Sequence, residues 1–346
     1  MTKFVLRAVP GYEGSHPGIQ LGTQLPHDAP EEDILMRVQL GAEWVMTDLP
    51  RHADHSADSY RRIVERFARY GLPVYRLANA NVHNMPAVPL NLPEREAKIA
   101  EYVQYLRNLA AAGLHYATYA HMGNGIWSTG KERIRGGAQS RAFHLERATE
   151  GQWVGEVFRA PLSHGRAYSE QELWDNYAYF IRQVVPVAED LGIYIGIHPD
   201  DPPVYALGGI PRCIFGTFDG YRQALEIADS PNVGMCLCVG CWLEGGAAMG
   251  RDVIETIQYF GRQNRLFKVH LRNVTAPMPE GFVETYLDDG YMDMPAVMRA
   301  LQEVSFDGAI ISDHLPDMAG GRTAAEAFSL GYIRGLIQAT QGERQL

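Results

Sequence analysis

Short runs of β-branched and aromatic residues alternate along the chain with longer stretches in which apolar positions recur every three to four residues. The strand-like runs are Phe4–Val9, Trp44–Asp48, Val74–Ala78, Tyr116–His121, Ile193–His198, Val233–Val239, Leu266–Arg272 and Ala309–His314. Helical patterns fall between them, over Ser56–Tyr70, Pro93–Ala112, Gln171–Leu191, Phe218–Ala228, Arg251–Phe260, Met294–Val304 and Thr323–Ala339. Such alternation predicts a parallel sheet with crossover helices. Eight strand runs match the α/β class of a (β/α)8 TIM barrel. Periodicity does not show closure, so a doubly wound open sheet is the alternative.

Local signals agree with these boundaries. Ser169 and Glu172 have the spacing of a capping box at a helix start. Gly71, Gly113 and Gly192 each stand between a helical run and a strand, where a left-handed C-cap is wanted. Two segments break the rhythm: about 123–168, after the fourth strand, and about 273–291, after the seventh. Loops this long in compact domains are usually functional, and both would open on the face where barrels build their active sites. With no repeat or low-complexity linker, residues 1–346 read as a single TIM-barrel domain carrying the 123–168 insertion.

The chain has 346 residues, 46% hydrophobic and 21% charged, an ordinary balance for a globular enzyme. Its formal net charge of −10 argues against nucleic-acid and anionic-membrane partners. No stretch reaches the roughly 20 apolar residues of a membrane span. Three of the 4 cysteines crowd residues 236–241, which suits reduced thiols and a cytoplasmic setting. A homo-oligomer is compatible with all of this.

Barrel chemistry sits at strand C-termini, and the last four strands each deliver a metal-binding side chain there: His198, Cys238, His270 and Asp313. Singly, each has a bland reading, a hydrogen-bonded histidine or a small buried thiol. Together, on consecutive strands, they point to one divalent ion of borderline softness, since a thiolate leans away from Mg and Ca. Cys236 shares a strand face with Cys238 but lies deeper. A structural zinc knot of Cys236, Cys238 and Cys241 lacks the usual paired spacing. Arg272 and Arg212 are candidate clamps for a substrate carboxylate, or partners in rim salt bridges. Asp200 and Asp201 are candidates for proton transfer or ligand orientation, with helix capping as the alternative. Asp313 and its neighbour His314 complete the catalytic candidates, His314 as general acid or base.

At these residues the sequence resembles the mannonate dehydratase family, within the broader class of xylose-isomerase-like barrels. The resemblance is carried by His198-Pro199-Asp200-Asp201-Pro202-Pro203, preceded by Glu172-Leu173-Trp174-Asp175-Asn176, and by His270-Leu271-Arg272-Asn273 and Asp313-His314. It implies one Mn or Fe(II)-type ion on His198, Cys238, His270 and Asp313. It also implies loss of water from a sugar acid such as D-mannonate to give a 2-keto-3-deoxy acid. His121, Trp127 and Glu284 join Arg272 and Arg212 as candidate substrate contacts. The family's tyrosine-bearing segment after the Asp-His pair is here Leu315-Pro316-Asp317-Met318-Ala319-Gly320-Gly321-Arg322, without a tyrosine. A sugar isomerase or epimerase, a lyase on another sugar derivative, and a catalytically silent sugar-binding protein remain alternatives at this point.

Overall fold

In the computed structural model, which describes residues 3–342, eight parallel strands form the central sheet. They are β1 (Gln20–Gln24), β2 (Trp44–Leu49), β3 (Val74–Asn79), β4 (Tyr116–Ala120), β5 (Tyr194–His198), β6 (Val233–Cys238), β7 (Leu266–Leu271) and β8 (Ala309–Ser312). The helices are α1 (Glu31–Gln39), α2 (Ala57–Ala68), α3 (Arg95–Ala111), α4 (Glu170–Leu191), α5 (Phe218–Ala228), α6 (Val253–Arg262), α7 (Met294–Glu303) and α8 (Gly321–Gly342). The hydrogen-bonded strand order is β3-β2-β1-β8-β7-β6-β5-β4. Its two outer strands meet where Asn84 bridges Ala120 and the Ala120 N–H donates to the His83 carbonyl at 2.8 Å. The sheet curls into a TIM barrel. Strands β6 and β7 are buried along their whole length, as strands covered on both faces should be.

The local signals hold. Ser169 and Glu172 form a capping box on α4, and Gly192 ends that helix at φ 63°. Strand ends fall within one or two residues of the sequence-based limits, and the last strand stops two residues short, so Asp313 and His314 lie just past β8.

The first strand is a correction. Only Phe4–Val5 of the run Phe4–Val9 is extended, pairing with Glu13–Gly14 outside the barrel. Leu6, Val9 and Tyr12 instead plug the N-terminal mouth, packed on Trp44, Met46, Tyr75, Tyr116 and Phe267. The Asp307 carboxylate accepts the Arg7 and Ala8 amides, each at 2.8 Å, and so pins the plug. Helix α1, absent from the hydrophobic pattern, buries only Ile34 and Arg37. A further short helix, Val239–Gly245, follows β6 directly.

Tyr12 is 5% exposed and its hydroxyl donates to the Tyr75 carbonyl at 2.8 Å. Tyr12→Ala should therefore cost about 3–5 kcal/mol, the range for truncating a buried aromatic. Urea unfolding measures it; a loss below about 1 kcal/mol would show that the plug is not part of the core.

Both irregular segments sit over the C-terminal rim, and they pair with each other. In the first, Glu150–Trp153 pairs with Ile126–Trp127 and Glu156–Arg159. In the second, Phe282–Thr285 pairs with Gln139–Phe143 of the first, in the register Phe282 to Phe143. This sheet brings Arg141 and Glu284 over the strand ends.

Candidate metal centre

His198 closes β5, Cys238 closes β6, His270 is penultimate in β7 and Asp313 follows β8. Parallel register sets Cys238 beside His270 and His270 beside Ile311, so the side chains converge inside one rim. One ligand-type atom from each of the four lies within 4.8 Å of all the others. Cys238 Sγ is 3.6 Å from Asp313 Oδ2, and His270 Nδ1 is 3.2 Å from Asp313 Oδ1. His198 Nδ1 lies 2.7 Å from the Pro199 carbonyl, which makes it the donor nitrogen and leaves Nε2 free to act as a ligand. His270 Nδ1 is buried and makes no well-aligned hydrogen bond, although Asp313 Oδ1 is 3.2 Å away, a costly arrangement unless something else takes its lone pair. Two imidazoles, a thiol and a carboxylate around that orphaned nitrogen fit a borderline divalent ion.

The electrostatics point the same way. Burial opposes ionisation of Cys238, but its contact with Cys241 and the Arg272 charge outweigh it and hold the thiol well below its usual range. The Cys241 N–H donates to Cys238 Sγ at 3.4 Å. Burial likewise opposes the charge on Asp313, and the neighbouring His314, His270 and Arg272 overcome it.

Arg272 is 1% exposed, and both of its terminal nitrogens are engaged. Its Nη1 donates to Asp313 Oδ2 at 3.0 Å and lies 3.2 Å from Glu284 Oε1. Its Nη2 reaches Glu244 Oε1 at 2.7 Å, with Asp201 Oδ2 and Cys241 Sγ each at 3.3 Å. The stem passes so close to Gly240 that a β-carbon there would meet Arg272 Nε at 2.1 Å. A second buried arginine, Arg141, pairs with Asp201, with Glu284 at 2.7 Å and with Glu244 at 3.5 Å. The second metal-like group, Asp201, Cys241 and Glu244, is thus filled by guanidinium groups. Burial raises Glu244 well above its usual range despite these arginines. Against the same penalty, His314, Arg272 and Arg141 bring Glu284 down to about 2.

A cavity of about 170 Å³ opens beside the four ligands, lined by residues that include Gln24, Arg76, His83, Thr118, Trp153, Asp201, Lys268 and His314. Of the proposed catalytic residues, Asp313, His314 and Asp201 reach it. His314 Nδ1 is 2.7 Å from Glu284 Oε1. Burial works against its positive charge, but Glu284 and Asp313 prevail and raise its pKa. Asp201 keeps both oxygens in ion pairs with Arg141 and Arg272.

The other candidates lie elsewhere. Asp200, Arg212 and His121 line a separate small cavity, where burial pushes Asp200 up to about 6 and His121 down to about 3. Arg212 is held there by Asn124 and Gly125. Trp127 is wholly buried, donating to the Asn124 carbonyl, and it is Trp153 that faces the ligands, stacked on His83 at 5.5 Å. Arg272 and Glu284 face each other within the ion-pair network and are absent from the cavity lining. Sequence reasoning passed over Arg76, His83, Arg141, Trp153 and Lys268. For Arg76 and Lys268 a signal existed: each is a charge inside an otherwise apolar buried strand.

Comparison with known proteins agrees with this geometry. The family model for D-mannonate dehydratase (UxuA) matches residues 155–345, more than half of the chain. The chain is 29% identical over 264 residues to mannonate dehydratase 2 of Halalkalibacterium halodurans, covering 71% of this chain and 74% of that one. It is 28% identical over 300 residues to the mannonate dehydratase of Thermotoga neapolitana, covering 79% and 81%. Among solved structures, the mannonate dehydratase of Streptococcus suis serotype 2 superposes with a TM-score of 0.81 over 95% of both chains at 23% identity. An L-ribulose 3-epimerase shares the barrel at a TM-score of 0.61 and 12% identity, over 94% of this chain and 97% of that one.

Proposed function

This chain belongs to the D-mannonate dehydratase family of hydro-lyases, and on that premise we propose that it removes water from a sugar acid, D-mannonate first among them, to give a 2-keto-3-deoxy acid. The observation that carries the reading is the set His198, Cys238, His270 and Asp313 at one edge of a cavity that His314 also lines. Those four residues would hold one divalent ion of borderline softness, Mn or Fe(II) by the family resemblance. When bound, such an ion supplies Lewis acidity that makes the proton on the carbon next to the carboxylate easier to remove. That proton and the neighbouring hydroxyl leave together as water, and the resulting enol becomes the 2-keto group.

No tyrosine lines the cavity, so proton delivery to the departing hydroxyl falls to His314. Its raised pKa favours the protonated imidazole that a general acid requires. Asp201, locked between two arginines, orients the network and does not carry protons. The four unpaired cysteines favour a reducing, cytoplasmic setting.

The test is turnover of a sugar-acid panel with detection of 2-keto-3-deoxy products. Activity should vanish on chelation and return with Mn or Fe(II) better than with Mg. Full turnover by metal-free protein, or no product from any sugar acid, would overturn the reading.

A further inference from the structure

Two cations in the cavity lack a carboxylate partner among the described residues. Arg76 is 8% exposed, its Nε is buried without an acceptor, and it forms no hydrogen bond or ion pair with any described residue. Lys268 is 1% exposed, and among the described residues no carboxylate lies within ion-pair distance of it. It stands by the Cys236 thiol and 5.9 Å from the Tyr116 ring centre. Every other buried arginine beside this site has found a carboxylate: Arg272 and Arg141 share four between them. A buried cation is ordinarily paired, because taking it out of water alone costs several kcal/mol. Two left without a carboxylate in one cavity mark a place where the missing anion is a ligand.

Topology says where that anion sits. Arg76 comes from β3 and Lys268 from β7, separated by three strands in either direction round the barrel, so they face each other from opposite walls. Lys268 precedes the ligand His270 by two residues, and both line the cavity. The pair thus lies beneath the ligand set, towards the barrel floor. The cavity of about 170 Å³ that both line has room for a small planar anion, which a guanidinium fork would meet from one wall and an ammonium from the other.

We propose that Arg76 and Lys268 form the carboxylate-recognition floor of the site, and that they make the enzyme select sugar acids over neutral sugars of the same length and stereochemistry. This rests on the sugar-acid reading above and assigns the acid end of the substrate to named residues. In the ligand-free protein both charges are a burden on stability. The bound carboxylate relieves them.

The experiment measures calorimetric binding of D-mannonate and of its neutral counterpart D-mannitol to the Mn-loaded protein, alongside turnover and thermal midpoints. The wild type should prefer the acid. Arg76→Met and Lys268→Met should each weaken D-mannonate by roughly 10–100-fold, the loss expected for a charge-assisted hydrogen bond, and leave D-mannitol unchanged. Arg76→Lys should recover part of the affinity. Ligand-free Arg76→Met should melt no lower than wild type, which a merely structural arginine would not allow. If one variant does not fold, the other carries the comparison. Wild type that shows no preference for the acid, or folded variants that keep it, overturn the inference. If the wild type dehydrates no sugar acid yet binds D-mannonate through Arg76, the functional reading fails and the anion floor stands.

Discussion

Replacing Cys238 by Ser should strip the ion from the protein and abolish turnover, with the fold intact. The substitution keeps the side-chain shape but removes the one soft ligand, and Sγ lies 3.6 Å from Asp313 in the middle of the ligand set. Metal affinity should fall by more than the roughly 10–100-fold that follows loss of an outer hydrogen-bonding partner. The other cysteines are the controls. Cys236 Sγ lies 3.5 Å from His270 Nε2, beneath the site, so Cys236→Ser should keep the ion, since a hydroxyl can serve that nitrogen. Cys241→Ser still offers an acceptor to Arg272 and should also keep it. Cys213→Ser, in a distant loop, should change nothing. Metal is measured after gel filtration on protein whose thermal transition shows it folded. Retention by Cys238→Ser with loss from Cys236→Ser would mean the ion sits one pleat deeper, below the rim.

The candidate ligand set was legible because each of its members stands at or next to the end of a strand whose apolar run is unmistakable. Strands β5 to β8 are buried on both faces, so their periodicity and their final residues could be read directly. The first barrel strand was not legible for the opposite reason. Gln20 and Thr23 are buried polar residues of that strand, and a run of Gln, Leu, Gly and Thr carries no hydrophobic pattern. The apolar run at Phe4–Val9 mimicked a strand because a plug also buries its residues. The charge network was hidden by distance along the chain. Arg272 meets Asp201 across 71 positions, and Arg141 meets Glu284 across 143. Trp127 is the candidate in sequence, and Trp153 in the same insertion is passed over. Only the pairing of Gly151 with Trp127 decides that Trp153 faces the cavity.

Arg272 is where that hidden network can be tested with the largest effect on stability. Its guanidinium serves Asp201, Glu244, Glu284 and Asp313 at once, all of them buried. Arg272→Met preserves much of the volume but leaves Arg141 as the only arginine paired with Asp201, Glu244 and Glu284 among the described residues, and Arg141 forms no ion pair with Asp313. Breaking a buried ion pair from one side costs about 3–5 kcal/mol, and here the stranded groups are several. Metal affinity should fall with stability, because Asp313 loses the donor that orients the carboxylate left over for the ion. Arg272→Lys separates charge from geometry. A single ammonium can neutralise one carboxylate, but it cannot span Asp313 and Glu244 as the planar fork does. Its stability should be intermediate, with turnover still far below wild type. Urea unfolding of the metal-free variants, followed by metal titration, measures both quantities. If Arg272→Met lost less than about 1 kcal/mol and held metal as well as wild type, the network would be no more than a surface-grade set of ion pairs.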